Sequence, residues 1–130
     1  MRHDPAQKDR ATDLGVVRIN NDVIASIAAI AATEVKGVYR MGGGQIKGRF
    51  LDMISGKFSS KGVRIATGDG DVKLSISVVV EYGVDIPRIA DEVQESVKRA
   101  VEKMTGLLLS EVDVVVEGVA VRSGGKRNGA

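Results

Sequence analysis

The stretch VKLSISVVVEYGVDIPRIADEVQESVKRAVEKMTG, residues 72–106, changes its periodicity halfway along, and that change decides the fold. Val72, Leu74, Ile76, Val78, Val80 and Tyr82 alternate with Lys73, Ser75, Ser77, Val79 and Glu81, so a strand over Val72–Tyr82 buries one face and leaves the other wet or lightly covered. After Gly83 the spacing becomes helical. Ile86, Ile89, Ala90, Val93, Val97, Ala100, Val101 and Met104 form one stripe, with Asp91, Glu92, Gln94, Glu95, Lys98, Arg99, Glu102 and Lys103 on the solvent side. Asp85 is an N-cap, Pro87 sits in the first turn where a missing N–H costs little, and Gly106 supplies the left-handed stop. The stripe is rich in β-branched residues, which have modest helix propensity, so packing on the sheet must hold this helix.

Working outward, Lys61–Thr67 reads as a preceding strand and Gly68-Asp69-Gly70-Asp71 as the turn joining it to Val72. Two aspartates in that turn fall short of a calcium loop, which needs more oxygens at fixed positions. Downstream, Leu107–Leu109 and Val112–Val121 read as the last strand, and its valines change phase near Gly118, which predicts a bulge or bend there. Upstream, Gly15–Ile19 is a short first strand, and Asn20 or Asn21 caps a helix reaching Lys36 with Gly37 as its stop. That helix is apolar on most of its circumference. Ala25, Ala29 and Ala32 would lie on its outer side, either as a bland edge or as a close contact with a second copy or an anchor protein. Val38–Met41 is a second strand, ending in Gly42-Gly43-Gly44.

Between that glycine run and Gly56, Ile46, Phe50, Leu51, Met53 and Ile54 fall near helical spacing among Lys47, Arg49 and, just beyond, Lys57. Residues 42–60 therefore read as a mobile insert, with Lys47, Arg49, Phe50 and Lys57 as candidate partner-binding residues beside Ala25 and Ala29. No phosphate-binding glycine motif is present, and the helical stretch is short for a membrane-surface anchor. The expected order is β-α-β-(insert)-β-β-α-β: an α+β two-layer sandwich of about five mixed strands with two helices on one face. Residues 1–13 read as a disordered arm, 14–121 as the domain and 122–130 as a basic flexible tail.

Composition removes most chemistry. The 130 residues contain no cysteine and a single histidine, His3 in the arm, which leaves thiolate nucleophiles and His/Cys metal centres without ligands. No apolar run approaches the roughly 20 residues of a spanning helix, and the N-terminus carries no secretory signal. With two Phe, two Tyr and no Trp, the sheet lacks the stacking platform of single-stranded RNA binders, so no nucleic-acid partner is expected. Neither catalysis nor a cofactor is expected. Net charge is +2, yet residues 40–64 carry +5 and residues 65–121 carry −6. Such a dipole is either ordinary solvated surface or the basis of head-to-tail self-association or of docking on an acidic partner.

The blocks LGVVRINNDVIASIAAIAATEVKGVYRM, SKGVRIATGDGDVKLSISVVVEYGVDIPRIADEVQESVKRAVEKMTGL and EVDVVVEGVAV resemble the alkaline-shock protein family, whose members are also described as envelope-stress response proteins. The resemblance runs from Leu14 to Val121 and is loosest over Gly42–Ser59. It implies a non-enzymatic, cytoplasmic bacterial protein of envelope homeostasis, self-associating and recruited to the membrane by an integral-membrane partner. The alternative it leaves is a small ligand-binding or regulatory module linked to fatty-acid or lipid metabolism. It carries no catalytic residues with it.

Overall fold

The computed structural model describes residues 8–43, 57–68 and 71–122. In chain order the elements are β1 (Lys8–Thr12), β2 (Gly15–Ile19), α1 (Asn21–Thr33), β3 (Val38–Met41), β4 (Lys57–Ser60), β5 (Val63–Gly68), β6 (Asp71–Glu81), α2 (Ile86–Thr105) and β7 (Glu111–Ala120). Strands β3 to β7 form one mixed five-stranded sheet, and both helices pack on one face of it around a single core. The two-layer α+β architecture is as expected. Its membership is not: Gly15–Ile19 leaves the sheet to pair with β1, and Lys57–Ser60, expected within the mobile insert, takes the fifth place as β4. Residues 8–12, expected within the disordered arm, form a strand.

Strand β6 is the axis. Val72, Leu74, Ile76, Val78 and Val80 are all at most 1% exposed, which is the continuous apolar face their alternation demands. Tyr82 falls beyond the strand end and is 75% exposed, so the core face stops one alternation earlier than expected. On one side β6 pairs along its length with β7 in parallel, the two being joined through α2. On its other side two antiparallel strands lie end to end, β5 against the first half and β3 against the second. The handover is at Ser77, whose N–H donates to Gly62 O at 2.9 Å and whose O accepts from Gly42 N at 2.8 Å. The predicted bulge is present: β7 passes from Val116, opposite Val78, to Gly118, opposite Val79, leaving Glu117 outside the ladder.

Helix α2 begins and ends where its caps place it. Asp85 accepts from Arg88 N, Pro87 occupies the first turn, and Gly106 adopts φ +81°. Ile89, Val93, Val97, Val101 and Thr105 are buried at intervals of four, whereas Met104 lies off that row and is 67% exposed. Helix α1 ends at Thr33, three residues before the expected Lys36. Its alanines are the second correction. Ala25, Ala28 and Ala32 have no exposed surface, and the side expected to face outward instead lets α1 run close along α2, tied by Ser96 Oγ to Ala31 O at 3.1 Å.

Two carboxylates pin the ends of this layer. Glu102 accepts from Lys98 Nζ and from Leu109 N, each at 2.8 Å, joining the last turn of α2 to the approach to β7. Those bonds, Lys98 first, hold its carboxyl below the usual range. Asp22 is lowered likewise, chiefly by the hydrogen bond from Lys61 in the β4–β5 turn. A carboxyl lowered in the folded state stabilises it above the unfolded value, and that contribution fades as pH falls through the folded one. Acid urea titrations of the wild type are therefore expected to lose stability as pH falls below about 4.5, the ordinary glutamate value. Glu102→Gln should show a shallower loss over the same window.

Candidate interaction surface

The β1–β2 hairpin stands apart from the sheet. Its register runs from Lys8 opposite Ile19 to Thr12 opposite Gly15, leaving Asp13-Leu14 as the connection. An isolated two-stranded hairpin is marginal in water. Among the described side chains of β2, Ile19, at its base, packs against the core. At the other end Leu14 is 99%, Val16 63% and Val17 54% exposed. Grouped exposure of large apolar side chains at a projecting tip is the form of a contact surface.

The sheet face turned away from the helices carries Val79 and Val115 among polar side chains, and the polar ones tie its strands together. Glu117, displaced by the bulge, reaches across β6 so that its Oε1 accepts from Gly43 N at 2.9 Å. A methyl group on Gly42 would sit 2.4 Å from the same oxygen, so glycine at 42 makes room for this tie. Arg122 donates through Nε and Nη2 to Glu81 and lies 5.5 Å from the centroid of Tyr39. The Glu81 hydrogen bond raises the pKa of Arg122 further, so it stays charged. Lys73 and Glu111 pair at 3.7 Å across β6 and β7. Among the described residues no group of three or more His, Asp or Glu is placed to hold a metal ion. A shallow open groove of about 260 Å3 lies where Gln94 and Lys98 of α2 face Leu109 and Glu111. These side-chain contacts tie the strands of the sheet to one another.

The residues expected to bind a partner do not converge. Ala25 is fully buried in the core and is removed from any contact surface, and Ala29 is half-buried against that core. Lys47, Arg49 and Phe50 lie outside the described residues, and Lys57 opens β4. The hairpin tip was missed. Its signal was two five-residue segments, KDRAT and GVVRI, flanking Asp13-Leu14, but the first carries no apolar alternation to mark a strand.

A family model for the Asp (alkaline-shock protein) 23 family, described as having a cell envelope-related function, matches residues 9–121. Among curated proteins, the uncharacterized protein YqhY of Bacillus subtilis (strain 168) is 35% identical over 112 residues, covering 83% of this chain and 79% of that one. YloU of the same strain is 32% identical, covering 85% and 92%. A stress response regulator gls24 homolog of Streptococcus pyogenes serotype M3 is 28% identical over 102 residues, 78% of this chain and 57% of its own length.

Proposed function

Because the chain belongs to the alkaline-shock protein family, with its cell envelope-related function, we propose that it is a non-enzymatic envelope stress-response protein that acts by binding copies of itself and a membrane-anchored partner. The observation that carries this reading is the hairpin tip, where Leu14, Val16 and Val17 are held in water at the end of a strand pair too small to be stable alone. Such a tip gains by being covered, and a protein partner supplies the cover. No helix among the described residues is long and apolar enough to cross a membrane. The stress-response name of the S. pyogenes relative agrees with the envelope reading.

The test is fractionation of the native host. The wild-type protein is expected in the membrane pellet, and Leu14→Asp in the soluble fraction with an unchanged melting temperature, since this side chain contributes nothing to the core. Wild type that never sediments with membranes ends the partner reading. Native mass spectrometry with extracted lipids addresses the alternative, because a stoichiometric lipid adduct on a monomer would favour a ligand-binding module.

A further inference from the structure

Strand β7, Glu111–Ala120, pairs with β6 on one side, and among the described residues no strand pairs with its other side. Which of its backbone groups face outward follows from the ladder. Ser77 bonds through both N–H and C=O to the β5/β3 side, so its neighbours Ile76 and Val78 turn theirs toward β7, where Val115 lies opposite Ser77 and meets them. Val114 and Val116 therefore direct their N–H and C=O away from the sheet. Val112 has the same phase, and its carbonyl already accepts a hydrogen bond on that flank from Gln94 Nε2 of α2 at 3.0 Å. The amide side chain stands where the N–H of an added strand would stand. Among the described residues no side chain does the same for Val114 or Val116.

The surroundings of those two residues define what fits beside them. Helix α2 joins two parallel strands and so runs opposite to β7, and one helical turn covers about the length of two strand residues, which sets Ala90 level with Val114 as Gln94 is with Val112. Val114 and Val116 are half-buried against the core, and Ala90 is half-buried beside them. Alternate side chains of an added strand that point to the helix layer would therefore meet apolar surface. The others would stand on the open face next to Val115, which is 45% exposed, and Asp113. Glu111 and Glu117 are already engaged, by Lys73 and by Gly43 N, but Asp113 and Asp91, the residue after Ala90, are exposed and in no ion pair among the described residues. We infer that the β7 edge takes up an extended segment of another protein, one that alternates apolar with basic side chains, paired beside Val114 and Val116. Gln94 bounds this edge at one end and the bulge at Glu117 at the other, so the contact is short and its charges decide which segment binds. The surface is separate from the hairpin tip and does not depend on what covers that tip.

Residue-resolved amide hydrogen exchange of the full chain, with and without a short synthetic peptide that alternates valine with lysine and arginine, tests this. In the free chain the Val114 and Val116 amides are expected to exchange faster than that of Val115, and saturating peptide should slow both by about tenfold or more. The same peptide with glutamate in place of its basic residues should give no protection. The double variant Asp91→Lys with Asp113→Lys, both side chains being exposed, should keep its circular dichroism spectrum and bind the basic peptide about tenfold more weakly. Val114 and Val116 amides unchanged at the highest soluble peptide concentration, or protected only elsewhere, overturn the inference. Equal protection by the acidic peptide, or equal binding by the double variant, overturns the choice of a basic segment. Protection that grows with protein concentration in the absence of peptide would mean that a second copy fills the edge, and overturns it as well.

Discussion

Ile76→Ala is expected to destabilise the protein by about 3–4 kcal/mol, a large share of the roughly 5–15 kcal/mol that holds a domain of this size together. Ile76 is fully buried at the middle of β6, where Val63 of β5 and Val114 of β7 flank it in the ladder. Its neighbours are strands of a hydrogen-bonded sheet, which cannot move inward to refill the space, so most of the lost volume persists as a cavity. Urea titration should show a lower midpoint with an unchanged slope. The comparison is Val115→Ala on the opposite face, where the side chain is 45% exposed and truncation should cost less than about 1 kcal/mol. Equal effects at the two positions would mean that the helices do not cover the face assigned to them.

Gly62→Ala is the second large effect, and here the cause is backbone rather than volume. Lys61 at φ +57° and Gly62 at φ +82° form the two-residue turn between β4 and β5, where Ser60 pairs with Val63. Just beyond the turn, the chain leaving β3 crosses at the shared residue Ser77, and a Cβ on Gly62 would lie 2.7 Å from Gly42 O and 3.1 Å from Met41 Cε. The methionine end can give way; the carbonyl is itself in the strand crossing and cannot do so freely. Left-handed backbone with a side chain and this clash together should cost roughly 2–3 kcal/mol. Gly83→Ala separates the two causes, since Gly83 has φ +98° and nothing within 4 Å of the added atom. It should carry the conformational part alone, about 1 kcal/mol. A Gly62 variant no worse than the Gly83 variant would remove the crowding argument.

Both results turn on β6, the part of the chain that its own residues described best. Alternation over residues 72–80 marked the buried face, and Asp85, Pro87 and Gly106 marked the limits of α2, because each signal is local: a strand face, a cap and a left-handed turn are settled within a few residues. The phase change of the valines likewise announced the β7 bulge, though not that it would swing Glu117 across the sheet to Gly43. The interaction surface was far less legible. The hairpin tip carries no motif, and its first strand has no apolar alternation to mark it.

From the residues alone came a two-layer α+β domain built on β6 and α2, with no cysteine and one histidine to support chemistry. Tertiary structure decided that Lys57–Ser60 rather than Gly15–Ile19 completes the sheet, and that Ala25 and Ala32 lie inside rather than outside. The reason is that an alanine or a five-residue strand is compatible with either environment. What fixes its place is a surface contributed from far along the chain, which local pattern does not encode.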